Sequence, residues 1–245
     1  MPDITTTRRT DRPTEGFHTA LLAAHPDRPV RLFLPADYQP KYAYPLVVLF
    51  HASGGDEDTA ARLAPLLSRR NYIAACPRGP IPLGPGPTGR PGFAWGDDPR
   101  ADEYLFDAVA HARREYHVHS ERVYLVGVGE GAAAAYRLGL RTAADVAGVV
   151  ALNGRLPKPA GRPLFRLKAV RGLRVFVGHG ANNPVVPLSA ARRDSRLLYA
   201  AGAAVRFASY PTTHRVHPDM LRDVNRWIMG GVNPDPDAPV FPPTT

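Results

Sequence analysis

A chain of 245 residues that is 44% hydrophobic can bury the core of one ordinary α/β domain. A single cysteine, Cys76, excludes an internal disulfide framework, and no apolar run approaches the length that crosses a bilayer. The formal charge of +9 raises nucleic acid as a partner, but most arginines come in scattered pairs such as Arg69 with Arg70 and Arg192 with Arg193, the pattern of a solvated basic face rather than of phosphate recognition.

The polar start, Met1 to Thr14, has no apolar segment for a signal peptide, so a cytoplasmic location is expected. Residues 1–16 read as an N-terminal arm, 17–230 as one domain and 231–245 as a proline-rich tail. Phe17 to Ala24 and Pro29 to Leu34 form an expected hairpin turning at His25-Pro26-Asp27-Arg28. Pro45 to Phe50 is a continuous apolar run, the pattern of a strand buried on both faces. After it comes His51-Ala52-Ser53-Gly54-Gly55, and Asp56 caps an expected helix running to about Arg70, with Glu57 and Asp58 suiting its dipole. This acid cluster reads as capping rather than metal binding.

Tyr72 to Cys76 is the next strand. Pro77 to Pro91 is too rich in Pro and Gly for regular structure, so a long loop is expected there, anchored by the aromatics of Gly92-Phe93-Ala94-Trp95-Gly96. Ala101 to Tyr116 is helical, with Tyr104, Leu105, Ala108, Val109 and Ala112 on one face. Residues 120–141 read as a strand, a glycine-dense corner and an alanine-rich helix. Strand Val146 to Leu152 leads into Arg155 to Arg174, the one concentrated basic stretch, which makes an acidic partner conceivable at that loop, through Arg166 and Lys168 among others. Strand Arg174 to Val177, a helix from about Leu188 to Ala201 stopped at Gly202, strand Val205 to Tyr210 and a helix from Pro218 to Met229 complete the order.

Alternating strands and helices argue a doubly wound, mostly parallel sheet, whose ligands bind beyond the carboxyl ends of the strands. Trp95, Gly129, Asn183 and His214 all follow expected strands at that edge. The corner Gly127-Val128-Gly129-Glu130-Gly131 has the form of G-x-S-x-G with glycine in place of serine.

On these segments the chain resembles the α/β-hydrolase superfamily, of the carboxylesterase and phospholipase type, from Phe17 to Met229. The resemblance implies an α/β-hydrolase fold of about eight strands and a site whose parts follow in order. His51 to Gly55 looks like the His-Gly-x-Gly loop, so that the amides of Ser53 and Glu130 form an oxyanion hole. His179-Gly180-Ala181-Asn182-Asn183-Pro184-Val185-Val186-Pro187 is similar to the segment that ends in the triad aspartate before Pro-Val-Val-Pro, and Asn183 stands there instead. Tyr210-Pro211-Thr212-Thr213-His214 looks like the loop of the catalytic histidine. The triad of serine, aspartate and histidine thus reads Gly129, Asn183 and His214, with His51 and Trp95 as pocket residues.

Glycine has no side chain, so no acyl-enzyme can form at 129. Asparagine can still orient the ring through its carbonyl oxygen but supplies no charge for an imidazolium. Glycine also relieves the backbone strain of a nucleophile elbow. Three functions are compatible with these residues: a degenerate hydrolase that is a pseudo-hydrolase or binds a small-molecule ligand or ester; an ester hydrolase using Ser53, Thr212, Thr213 or water activated by His214; and a nucleotide-binding module reading Gly127 to Ala132 as G-x-G-x-x-G/A. The last lacks the acid about 20 positions on that a ribose requires. Cys76 reads as a buried small hydrophobe, and His51, His179 and His217 show no metal spacing with His214, so no metal or cofactor is implied.

Overall fold

A computed structural model describes residues 15–85, 89–96, 100–157 and 170–233. The chain opens with β1 (Gly16–Leu22) and β2 (His25–Leu34), paired antiparallel. The turn falls at Ala23 and Ala24, and the segment 25–28 expected to turn is strand instead. Arg28 lies over the Tyr104 ring at 3.8 Å and His25 meets the edge of the same ring at 5.1 Å, contacts that carry the strand this far.

β3 (Tyr44–Phe50) is buried along its whole length. Leu46, Val48 and Phe50 face one core layer, while Val47 and Leu49 face the other. The helix expected to run from Asp56 to Arg70 is two short ones, α1 (Glu57–Ala61) and α2 (Ala64–Leu67). Pro65 is the cause, since it has no N–H to bond back to the preceding turn. Asp56 does cap α1, accepting the Thr59 amide at 2.7 Å.

After β4 (Ile73–Pro77), the stretch expected to be irregular holds a two-stranded ribbon, β5 (Ile81–Pro85) with β6 (Pro91–Ala94). A ribbon pairs each strand along one edge only, which leaves prolines a side where no donor is required. Then come α3 (Arg100–Glu115), β7 (Val118–Val128), α4 (Glu130–Arg141), β8 (Gly148–Leu152), β9 (Arg174–Gly180), α5 (Leu188–Ala200), β10 (Ala204–Tyr210) and α6 (Pro218–Val232). The last helix runs to Val232, three residues beyond its expected end at Met229.

The main sheet has eight strands in the order β1-β2-β4-β3-β7-β8-β9-β10, antiparallel at the first two pairings and parallel from β4 onward. One face carries α3, α4 and α5, and the other carries α1, α2 and α6. α4 sits close to the strands because its inner positions are small: a Cβ on Gly139 would lie 2.3 Å from the Val149 side chain. This is an α/β-hydrolase architecture, with β7 and β3 adjacent at the middle of the sheet. No described helix is long and apolar enough to cross a membrane.

Candidate functional site

Gly129 makes the corner between β7 and α4 with φ 57° and ψ −118°. That combination lies outside the regions open to ordinary residues and is unstrained only for glycine. The corner also needs glycine on either side. A Cβ on Gly127 would stand 2.2 Å from the Gly131 carbonyl oxygen, and one on Gly131 would stand 2.4 Å from that of His51 and 2.5 Å from that of Phe50. Position 129 itself is different: a Cβ there would meet His214 Nε2 at 3.3 Å and the Ala52 methyl at 3.4 Å, ordinary or slightly close contacts. The corner keeps the place for a side chain and lacks the side chain.

His214 follows β10 and Asn183 follows β9. His214 Nδ1–H donates to Asn183 Oδ1 at 3.1 Å. That oxygen also accepts the amides of Val185 and Val186, both at 3.0 Å. Three donors converging on one atom identify it as the carbonyl oxygen and not the amide nitrogen. They also fix the imidazole tautomer: Nδ1 carries the proton and Nε2 is the acceptor, aimed at the 129 position without a partner among the described residues.

A residue that sequence reasoning passed over holds this frame. Asn153, fully buried and at φ 55°, donates to the Arg215 carbonyl at 2.9 Å and accepts the Gly180 amide at 2.8 Å, with Asn183 Nδ2 at 3.5 Å from the same oxygen. It links the ends of β8 and β9 to the histidine loop. A lone amide directly after an apolar strand at the carboxyl edge was the available signal, since asparagine tolerates the left-handed region and can satisfy main chain on two sides.

The two expected oxyanion residues occupy adjoining segments. Ser53 is exposed on the loop after β3, and Glu130 opens α4, where the first amides have no intrahelical acceptor. Neither amide has a partner among the described residues. The Glu130 side chain turns toward the ribbon: Oε1 accepts the amides of Trp95 at 3.3 Å and Gly96 at 3.5 Å, while Oε2 is buried with no partner.

His51 and Trp95, expected in the pocket, are both 1% exposed. His51 Nδ1 donates to the Ala52 carbonyl at 2.8 Å and its Nε2 accepts the Gly79 amide at 2.9 Å. Trp95 Nε1 donates to the His51 carbonyl at 2.9 Å, and the two rings lie 4.9 Å apart. Fully engaged and out of reach of a ligand, they support the oxyanion-type loop instead of lining a pocket. His217 caps α6, accepting the Asp219 amide at 3.2 Å, and among the described residues no cluster of His, Cys, Asp and Glu is placed to hold a metal.

The rival nucleophiles fare poorly. Cys76 is wholly buried in β4, and burial pushes its thiol up, away from the thiolate. Thr212 turns its hydroxyl to the Arg215 carbonyl at 3.3 Å. No hydroxyl is among the three heavy atoms nearest the 129 position. Of the basic stretch, residues 158–169, including Arg166 and Lys168, lie outside the described residues. Arg174, at its end, is committed to structure: it donates to the Trp227 carbonyl at 2.8 Å and covers that ring at 4.5 Å.

Burial holds the imidazoles of His51, His179 and His214 below the ordinary value of 6.5, with neighbouring His179 adding to the effect at His214. The folded chain therefore binds fewer protons than the unfolded one as pH falls past that value. Their contribution to stability is complete above pH 6.5 and is lost as pH drops through the lowered folded values. The melting temperature is expected to fall steadily between neutral pH and mildly acid pH; a flat or rising profile in thermal melts would contradict this assignment.

The pattern of the Phospholipase/Carboxylesterase family matches residues 39–230. Acyl-protein thioesterase 1 of Mycosarcoma maydis is 32% identical over 127 residues, 50% of this chain and 53% of its own length. The same-named protein of Cryptococcus neoformans is 28% identical over 137 residues, 50% of this chain and 58% of its own. The chain thus spans about half the length of the curated relatives it matches. Among solved structures, a carboxylesterase from Mesorhizobium loti superposes with a TM-score of 0.64 at 24% identity, covering 86% of this chain and 99% of the other. Arabidopsis thaliana SOBER1 gives 0.64 at 18% identity, covering 78% and 100%. At these identities the structural likeness speaks for the fold.

Proposed function

We propose, from the premise that the chain belongs to the Phospholipase/Carboxylesterase family of α/β-hydrolases, that it is a pseudo-hydrolase: an esterase frame that binds an acyl ligand and forms no acyl-enzyme. One observation carries the reading. His214 Nε2 is an unprotonated acceptor with no partner among the described residues, aimed at the 129 position, and residue 129 brings no hydroxyl to it. The base is in place, its orienting group is in place, and the atom it would activate is missing. The names of the curated relatives and of the structural neighbours favour an acyl ligand from the chemistry of carboxylic esters and thioesters, as substrate or as cleavage product.

A second reading rests on the same free nitrogen. A water held by Nε2 and attacking a carbonyl bound by the Ser53 and Glu130 amides would hydrolyse an ester directly, without a covalent intermediate. Asn183 cannot compensate the imidazolium this creates, and the aspartate-to-asparagine change alone costs about 10⁴ in rate in a serine protease. Such turnover is at best slow.

A serine-directed fluorophosphonate distinguishes the frame from an ordinary esterase. The natural chain is expected to take no label at 129, while Gly129→Ser takes it at a stoichiometry approaching one. Intact mass of both proteins reads the result, and stoichiometric labelling of the natural chain would overturn the proposal.

A further inference from the structure

The polar groups around residue 129 form an incomplete set. Nε2 of His214 is held as an acceptor, because Nδ1–H is committed to a carbonyl oxygen that also takes two main-chain amides. In a serine hydrolase the nucleophile's hydroxyl donates to this nitrogen. Here nothing among the described residues does, and the space that a serine side chain needs is bounded by Nε2 and the Ala52 methyl. The amides of Ser53, next in the chain to Ala52, and of Glu130, next to Gly129, have no acceptor among the described residues. The site therefore offers two donors and one acceptor to whatever occupies it.

An ester or thioester supplies only acceptors. Its carbonyl can take the two amides, but its other oxygen or sulfur leaves Nε2 unmet, and an unmet polar group in a partly buried site weakens binding. A carboxyl group that carries its proton matches all three: one oxygen accepts from the amides, and the other shares its hydrogen with Nε2. We propose that this site holds a free carboxylic acid, the product side of ester or thioester cleavage, with one proton bridging its oxygen and His214 Nε2. The inference rests on the reading that the site lacks a nucleophile.

The charge balance agrees. Asn183 brings no negative charge, so an imidazolium here has no protein counter-ion on its Nδ1 side; the ligand's own carboxylate provides it. Glu130 stands at the same corner with one buried, unpartnered oxygen, which disfavours an anion arriving without a proton. Among the described residues the titratable group that acts on His214 is His179 from β9, fully buried, and the guanidinium of neighbouring Arg215 belongs to an exposed residue. Exposed apolar side chains lie on the segments whose amides bond Glu130 and Asn183. Ile81 of β5 packs over Gly96, 2.5 Å from where a Cβ would be, and Val185, two residues from Asn183, is 66% exposed.

A carboxylate dissolved at neutral pH must then take up a proton as it binds. The balance is simple: carboxylate plus one proton from buffer gives the bridged pair, with no bond to carbon made or broken. Octanoate is the probe, titrated calorimetrically into the full chain in two buffers of different ionisation enthalpy. The expected result is uptake approaching one proton per octanoate, with affinity falling about tenfold per pH unit above neutrality. Methyl octanoate should bind at least tenfold more weakly. His214→Gln should abolish proton uptake and flatten the pH profile, and Gly129→Ser, which fills the space, should weaken octanoate at least tenfold. Octanoate binding without proton uptake, equal binding of the methyl ester, or no binding at millimolar octanoate would each overturn the proposal. The labelling and hydrolysis experiments decide the pseudo-hydrolase reading separately: a chain that takes no label, turns over no ester and fails to bind octanoate loses only this inference.

Discussion

Gly129→Ser combined with Asn183→Asp is expected to give the chain esterase activity through an acyl-enzyme. The backbone at 129 already holds φ 57° and ψ −118°, and a Cβ built there lies 3.3 Å from His214 Nε2, close enough for an added hydroxyl to reach that nitrogen. The Ala52 methyl at 3.4 Å is the next neighbour and has to give by a few tenths of an ångström at most. Loss of the serine from a triad costs about 10⁶ in turnover, and the asparagine for aspartate exchange about 10⁴, so the double change should exceed Gly129→Ser alone by roughly 10³ to 10⁴. It should also lose on the order of 1–3 kcal/mol of stability, because serine replaces glycine at a strained angle. Release of p-nitrophenol from butyrate and octanoate esters reads the activity, with His214→Ala in the double variant as the control. A folded but inactive double variant would show that the frame has been lost along with the nucleophile. Turnover by the natural chain that vanishes in His214→Ala would instead establish the water route.

The second large effect concerns the corner glycines. Gly131→Ala drives a methyl into the main chain at the end of β3, 2.4 Å from the His51 carbonyl oxygen and 2.5 Å from that of Phe50. Backbone cannot swing aside as the tip of a flexible side chain can. The expected loss is about 3 kcal/mol or more, or roughly 6–12 °C in melting temperature for a chain of this size. Gly230→Ala in α6 is the matched opposite. Nothing lies within 4 Å of its Cβ position, and removing a glycine from the last turn of this helix should stabilise by about 0.4–1 kcal/mol. Thermal melts of the two variants beside the natural chain test both signs; a Gly131→Ala protein that melts like the natural one would refute the packing argument.

The architecture was legible because its signals are dense. β3 has no charged or amide residue to mark a solvent face, and the corner at 127–131 announces its turn with three glycines in five positions. The order of corner, Asn183 and His214 along the chain led to the expectation that they meet, and the structure brings Nε2 of the histidine to residue 129 and its Nδ1 to the asparagine. Where sequence reasoning failed, a single residue or a tertiary contact outweighed the local pattern. Pro65 divides a helix whose acidic start looked continuous with the apolar stretch up to Leu67. The ribbon of β5 and β6 hides in a proline-rich stretch because its pairing depends on a partner strand and a docking loop and not on its own propensity. The burial of His51 and Trp95 was not readable, since local sequence does not reveal that a ring will commit both its nitrogens to main chain.

The ribbon grips the oxyanion-type loop through main-chain bonds: the Gly54 amide to the Phe93 carbonyl at 3.0 Å, and the Phe93 amide to the Gly55 carbonyl at 2.8 Å. Every residue of β5 is exposed. An attachment made by backbone atoms is indifferent to which side chains the attached strand carries. Those bonds belong to Phe93 of β6, so Ile81 and Leu83 of β5, which make none of them, can be exchanged without removing them, and this exposed strand is a place where a protein engineer, or natural variation, can change the surface while leaving the frame untouched.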